Sequence, residues 1–175
     1  MDFRRVAETV AEFFTARELP FAVVGGVALH AYGLSRTTYD LDLLTSSEAQ
    51  AEVVAFLESL GYETLYRSAG FSNHNHPRQE WGRVDVVYVE GDTLQQMFAG
   101  VERKPAMGLD LPVPRAEHLA AMKLHALRND PDRAAQDFAD LRYLIHLPEV
   151  DQEEVKGYFA RQGMLDRYDD LREET

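Results

Sequence analysis

A glycine pair that follows a short apolar run and precedes two closely spaced aspartates most constrains this chain. The run Phe21-Ala22-Val23-Val24 is typical of a buried strand, and Gly25-Gly26 ends it. Residues 27 to 33 then have the pattern of a short helix. A strand, a glycine turn and a helix N-terminus place backbone N–H groups and the positive end of the helix dipole beside a phosphate. We therefore predict that Gly25 and Gly26 contact phosphate.

Two aspartates, Asp40 and Asp42, occupy positions i and i+2 of the next predicted strand, Tyr39 to Leu44. Such residues project from the same face of a strand, roughly 7 Å apart along the backbone. Mg²⁺ is typically bound by one or two carboxylates together with waters and substrate phosphates. The pair is therefore predicted to hold a divalent cation. Arg36 and Thr37, just before it, either contact phosphate or belong to an ordinary solvated loop.

A third acid, Asp85, interrupts the β-branched run Arg83 to Val89, which is predicted to be a strand. A buried carboxylate is costly unless it is paired or bound to a metal. Asp85 is therefore a third candidate ligand.

The polar stretch Ser68 to Pro77 is predicted to be a long connection between two strands. Its two histidines, His74 and His76, suggest a transition-metal site, but no third ligand is evident and solvated histidines are the expected alternative. Trp81, at the end of this stretch, either stacks on a base or packs on the sheet.

The remaining pattern predicts helices around a sheet, followed by helices alone. An amphipathic helix covers residues 2 to 18, and Ser46-Ser47-Glu48 is predicted to cap a helix that ends at Gly61. The other predicted elements are a strand over 62 to 67, a helix over 92 to 98, extended segments over 101 to 106 and 109 to 113, helices over 114 to 129 and 132 to 147, and a further helix from Asp151. We predict an α+β fold with a core over residues 1 to 113 and a helical subdomain over residues 114 to 175.

Composition narrows the class of protein. The chain has 175 residues, no cysteine and a net charge of −12. The acidity argues against a general nucleic-acid coat protein, because such binding depends on Lys and Arg neutralising phosphates. With no thiolate site, no signal-peptide pattern and no apolar run near the roughly 20 residues that span a bilayer, we expect a cytoplasmic protein without a membrane segment.

These motifs carry a resemblance to a known superfamily. Gly25-Gly26, Asp40-Leu41-Asp42 and Asp85 together resemble the motif of the nucleotidyltransferase superfamily, which has the polymerase-beta-like fold. The segments Pro114 to Leu124 and Arg133 to Leu141 resemble the helical motifs of compact bacterial members related to the AbiEii-type toxins of toxin–antitoxin systems.

The resemblance implies a mixed nucleotidyltransferase-type sheet and a metal-dependent enzyme. It implies transfer of a nucleoside monophosphate from a nucleoside triphosphate to a hydroxyl, with Mg²⁺ or Mn²⁺ held by Asp40, Asp42 and Asp85. In a toxin-like member the acceptor is the end of a tRNA, and a cognate antitoxin is a partner. Two alternatives stay open, since antibiotic- or small-molecule-modifying enzymes share the core motif and a catalytically idle nucleotide-binding regulator would keep the fold.

Lys123 lies within an apolar helical stripe, so its side chain either snorkels to solvent or meets a phosphate or a carboxylate. Lys123→Met is expected to weaken triphosphate binding at equal or better stability, because an ammonium in an apolar stripe is costly without its anion. Asp137 has the spacing of a surface pair with Arg133. The resemblance instead makes Asp137 an active-site acid that orients Lys123 or the nucleotide, and makes Lys123 a catalytic and nucleotide-binding residue. A local strip of basic residues is a further possibility, comprising Arg115, Lys123, Arg128, Arg133 and Arg142.

Overall fold

The chain contains both helices and strands up to Val113, and the described elements beyond it are all helices. The computed structural model describes residues 1–129 and 134–173. In chain order the elements are α1 (Phe3–Ala16), β1 (Phe21–Val24), α2 (Gly25–Ala31), β2 (Asp40–Ser46), α3 (Gln50–Ser59), β3 (Glu63–Arg67), β4 (Phe71–Asn75), β5 (Arg83–Val89), α4 (Gly91–Phe98), β6 (Glu102–Ala106), β7 (Leu109–Val113), α5 (Ala116–Asn129), α6 (Ala134–Ile145), α7 (Gln152–Arg161) and α8 (Leu165–Glu173).

The central sheet has five strands in the order β1-β2-β5-β4-β3. Strands β2 and β5 are parallel, whereas the other three neighbouring pairs are antiparallel. Strands β6 and β7 form a separate antiparallel hairpin. The predicted mixed α+β architecture is therefore confirmed.

One face of this sheet packs into the main core. Because side chains alternate along a strand, Leu41 and Leu43 of β2 lie on the face opposite Asp40 and Asp42. The two leucines are fully buried in one cluster with residues of α1 and α3, such as Phe14 and Leu57. The apolar face thus fixes the register of β2, and the register in turn fixes where the aspartates lie.

Strand β4 corrects the prediction of a long connection over residues 68 to 77. It pairs with β3 on one side and β5 on the other. The buried residues of β4 are polar, and His74 bonds through its ring nitrogens to Thr64 Oγ1 of β3 at 3.1 Å and to Ser72 Oγ of its own strand at 2.8 Å. A strand whose interior is satisfied by hydrogen bonds has no apolar alternation, so its hydrophobic pattern did not reveal it.

Several boundaries also differ from the prediction. Helix α2 begins at Gly25 rather than after the glycine pair. Ser46 makes no capping hydrogen bond, and a short 3-10 turn, Ser47–Ala49, precedes α3. Helix α8 was not predicted, because most of its residues are charged and few mark an apolar face. Residues 130 and 131, between the helices predicted over 114 to 129 and 132 to 147, lie outside the described residues.

The chain divides into two compact units, Met1–Pro114 and Arg115–Thr175. In the second unit, helices α5, α6, α7 and α8 bury an apolar centre that includes Leu124, Leu141 and Phe159. Glu117 Oε1 accepts a hydrogen bond from the Asp151 N–H at 2.9 Å, which joins the start of α5 to the start of α7. That the first unit is catalytic and the second a helical subdomain of the same enzyme stays a prediction.

None of the helices in the described part of the chain is long and apolar enough to cross a membrane.

Candidate active site

Three aspartates meet on the sheet face opposite the main core. Asp42 of β2 and Asp85 of β5 are partners in the parallel register, and Asp40 lies two residues before Asp42 on the same face. One carboxylate oxygen from each residue lies within 4.8 Å of the others. The structure therefore brings together the three acids that the sequence predicted as metal ligands.

The three carboxylates differ in their surroundings. Asp40 and Asp42 are partly exposed, whereas Asp85 is buried. Thr38 Oγ1 donates a hydrogen bond to Asp40 Oδ1 at 3.1 Å, so a residue two positions before the strand orients the first acid. Two acids accessible from solvent beside a buried third can receive a ligand from one side.

Asp85 is held by two residues that sequence reasoning missed. Arg83 donates from Nε to Oδ1 at 3.0 Å and from Nη2 to Oδ2 at 2.7 Å. Asn73, the partner of Asp85 on β4, donates from Nδ2 to Oδ1. The predicted need for a partner is thus met within the protein. Arg83 could have been found from its i, i+2 spacing to Asp85, whereas Asn73 lay in the stretch assigned to a connection.

The electrostatics of Arg83 reflect this position. The hydrogen bonds to Asp85 raise the pKa of Arg83 against the opposing effect of burial, and the charges of Asp40 and Asp42 act in the same direction as Asp85. The guanidinium is therefore a permanent cation in contact with the acidic site.

The glycine pair lies directly against the acids. Gly25 has φ +58°, and a Cβ added there would overlap the Asp42 carboxylate, with Cγ only 2.6 Å away. A Cβ at Gly26 would lie 2.6 Å from the Cβ of Thr38. Both positions therefore require glycine for close approach, a role that the sequence did not reveal. Phosphate binding by their backbone N–H groups stays a prediction.

The segment before the acids is anchored to α2. His30 Nε2 lies 2.7 Å from the Arg36 carbonyl oxygen and bonds to it. Arg36 Nη1 donates to the Thr37 carbonyl at 3.1 Å. These contacts place Arg36 and Thr37 between α2 and β2, and their predicted contact with nucleotide stays untested.

The fold can be compared with that of known proteins. The sequence matches no protein-family model and no curated protein. Among solved structures, the antibiotic-resistance factor ANT(2'')-Ia aligns over 98% of this chain and 97% of its own, with 18% identity and a TM-score of 0.73. The lincosamide antibiotic adenylyltransferase LnuA, bound to lincomycin, aligns over 80% of this chain and 96% of its own, with 14% identity and a TM-score of 0.58. A protein from Thermotoga maritima, provisionally assigned as a nucleotidyltransferase, aligns over 79% of this chain and 92% of its own, with 12% identity and a TM-score of 0.57.

The chain has the nucleotidyltransferase fold. This agrees with the superfamily resemblance drawn from Gly25-Gly26 and the three aspartates. At these identities the likeness concerns the fold alone, and a closer relation to AbiEii-type toxins stays a prediction.

In the second unit, the ammonium of Lys123 contacts two carboxylates. Lys123 Nζ lies 2.7 Å from Asp137 Oδ1 and 2.7 Å from Asp140 Oδ2. The Lys123 side chain is 15% exposed and the two acids are buried. The snorkelling interpretation of Lys123 is therefore wrong, whereas the predicted pair of Asp137 with Arg133 lies outside the described residues. Asp140 was missed, although its i+3 spacing from Asp137 places both on one helix face. Roles for Lys123 and Asp137 in catalysis stay predictions.

The histidines and the tryptophan near the sheet have structural contacts. His74 and His76 are buried rather than solvated, and His76 Nδ1 accepts the Arg78 N–H at 3.0 Å. Burial lowers the pKa of His74, which favours the neutral imidazole. Trp81 stacks on His76 and lies under the Arg5 guanidinium, whose Cζ is 4.7 Å from the ring centroid. Within residues 1–129 and 134–173, the acidic triad is the one group with metal-binding geometry.

Proposed function

We propose that this protein transfers a nucleoside monophosphate from a nucleoside triphosphate to a hydroxyl acceptor. The observation that carries the proposal is the acidic triad, whose carboxylate oxygens lie within 4.8 Å of one another beside a glycine pair that opens a helix. In this reaction the acceptor oxygen forms a bond to the α-phosphorus, the bond to the β-phosphate oxygen breaks, and pyrophosphate leaves.

The donor set of the triad fits a hard divalent cation such as Mg²⁺ or Mn²⁺. Three carboxylates from two neighbouring strands offer only oxygen ligands, which such ions prefer. Asp40, Asp42 and Asp85 would hold the ion. When bound, it would supply stabilisation of the charge that develops on the transferring phosphate.

The protein's own residues would bind and orient the reactants. Gly25 and Gly26 would present backbone N–H groups to the triphosphate, and the Arg36 guanidinium and Thr37 would add polar contacts to it. Asp85, held in one orientation, would accept the proton of the attacking hydroxyl or serve as a ligand. Lys123, with Asp137 orienting its ammonium, would offset negative charge on the nucleotide.

The identity of the acceptor is a separate part of the proposal. Resemblance of the helical motifs to AbiEii-type proteins favours a tRNA end, with a cognate antitoxin as partner. Two of the cations in the expected basic strip, Arg115 and Lys123, already bond to acids. With a net charge of −12, we expect only a few contacts to tRNA phosphates. A small hydroxyl compound is the second candidate, because ANT(2'')-Ia and LnuA are described as proteins of antibiotic resistance and antibiotic adenylylation.

Labelled nucleotides test the reaction type. The purified chain is incubated with Mg²⁺ and either α-³²P- or γ-³²P-labelled nucleoside triphosphate, in the presence of tRNA or a panel of small hydroxyl compounds. Nucleotidyl transfer puts the α label on the acceptor and releases the γ label as pyrophosphate. Transfer of the γ label to the acceptor would contradict the proposal, and nucleotide binding without any transfer would support the idle regulator instead.

A salt series then distinguishes the acceptors. If tRNA is the acceptor, the logarithm of its affinity should fall with log salt at roughly −0.7 to −0.9 per neutralised phosphate. A small acceptor should show almost no slope. Labelling of a small compound with no labelled RNA at any salt concentration would overturn the toxin-like assignment while leaving nucleotidyl transfer in place.

A further inference from the structure

Asp85 is held in the triad by hydrogen bonds from two neighbouring residues. Arg83 and Asp85 lie two residues apart on β5, so their side chains share one face. The guanidinium donates to both carboxylate oxygens, at 3.0 Å to Oδ1 and 2.7 Å to Oδ2. A bidentate pair of this kind fixes the plane of the carboxylate as well as its position.

Asn73 adds a third hydrogen bond from the other neighbouring strand. It lies opposite Asp85 in the β4–β5 register and donates to Oδ1. An ionised carboxylate offers about four acceptor positions. Among the described residues, Oδ1 accepts two donors and Oδ2 accepts one. A single acceptor position of Oδ2 is left for a substrate hydroxyl or an ion.

Arg83 also changes the charge of the site. Three carboxylates whose oxygens lie within 4.8 Å of one another repel strongly. Arg83 hydrogen-bonds to one of them, and its side chain is half exposed. A fixed cation in this place offsets part of the repulsion and competes with a divalent ion for the same negative field.

We propose that Arg83, supported by Asn73, is a positioning residue and the internal counterion of the acidic triad. It fixes Asp85 in the orientation that the acceptor hydroxyl needs, and it weakens binding of a divalent cation to the nucleotide-free protein. Cation binding thereby becomes coupled to the arrival of the triphosphate, which brings additional negative charge. The positioning role of Arg83 rests on the proposed function, whereas its counterion role rests on the triad alone.

The first measurement is Mn²⁺ binding to the full chain without nucleotide. Electron paramagnetic resonance of the free ion monitors the binding. Arg83→Gln removes the cation and is expected to tighten Mn²⁺ binding about three- to tenfold. Arg83→Lys keeps the charge and should bind Mn²⁺ within about twofold of wild type. The matched control is Arg103→Gln, which removes an arginine from the exposed pair with Asp110 and should leave the affinity unchanged.

The second measurement is steady-state transfer. Because Arg83 acts through Asp85, Arg83→Gln is expected to lower kcat at least about tenfold with KM for the triphosphate within about twofold. Arg83→Lys should restore only part of kcat, since an ammonium cannot bond both oxygens in the fork geometry. Thermal unfolding of each variant identifies any that fail to fold. If Arg83→Gln does not fold, Arg83→Lys alone provides the test, because it should lower kcat while leaving the Mn²⁺ affinity near that of wild type.

The outcomes separate this inference from the proposed function. Unchanged Mn²⁺ affinity in folded Arg83→Gln would overturn the counterion role, and wild-type kcat in Arg83→Lys would overturn the positioning role. If wild type binds Mn²⁺ but transfers no nucleotide, the proposed function fails. The counterion role then stands or falls on the affinity change alone.

Discussion

Asp42 and Asp85 lie directly opposite each other on the parallel strands β2 and β5. Their strands are separated by more than thirty residues of sequence, so the pair exists only because the sheet places β5 beside β2. Leu41, Leu43 and Val84, all fully buried, fix that register from the apolar face. The position of the acids therefore depends on the packing of the core, and one-residue slippage of either strand would separate them.

The glycine at the start of α2 should be required by its contact with Asp42 as well as by its backbone. Gly25→Ala is expected to lower the free energy of unfolding by more than the roughly 1–2 kcal/mol of left-handed strain and to weaken Mn²⁺ binding, because the new methyl group overlaps the carboxylate. Gly91→Ala is the matched control, since Gly91 also begins a helix at positive φ but has open space around it. Chemical denaturation and Mn²⁺ titration of both variants measure the difference, and equal effects would show that the contact with Asp42 is unimportant.

Lys123→Met should destabilise the protein, contrary to the expectation from sequence of equal or better stability. The substitution leaves Asp137 and Asp140 buried without the ammonium that both contact at 2.7 Å. Breaking a buried ion pair from one side costs about 3 kcal/mol. Lys104→Met, which removes the partner of the exposed Glu102, should cost less than about 1 kcal/mol. Urea denaturation compares the two, and equal stabilities would mean that the buried contact adds nothing.

The sequence predicted those parts of the fold and site that leave a local pattern. The apolar stripe of α1 and the alternation around Asp40 and Asp42 are examples, because one buried face produces each. Strand β4 was missed because its interior is polar and pairs within itself through Ser72 and His74. Asn73 and Asp140 were missed because their contacts with Asp85 and Lys123 depend on neighbouring elements that only the folded chain brings together.

The buried histidine of β4 should make stability depend on pH. Burial lowers the pKa of His74, an effect to which Arg67 adds and which Glu58 and Asp85 oppose. Between the lowered folded pKa and the ordinary value near 6.5, the unfolded chain binds a proton that the folded chain does not. Stability is therefore expected to fall as pH decreases below about 6.5, by up to roughly 1.4 kcal/mol per pH unit.

Denaturation of His74→Gln across pH 5 to 7.5 checks this expectation. The variant should lose stability more gently than wild type as the pH falls, whereas His146→Gln, which removes an exposed histidine, should follow the wild-type profile. If His74→Gln and wild type fall in parallel, His74 is not the group responsible.

The most direct test of the central claim is transfer of α-labelled nucleotide by wild type and by Asp42→Asn in the presence of Mg²⁺. Asp42 is partly exposed on the solvent side of β2, so the free energy of unfolding of the variant should lie within about 1 kcal/mol of the wild-type value. Loss of a metal-binding carboxylate should lower the rate at least about 100-fold. Asp110→Asn, in the exposed pair of the β6–β7 hairpin, should keep the wild-type rate. Transfer by Asp42→Asn at the wild-type rate would contradict the assignment of the acidic triad as the catalytic metal site.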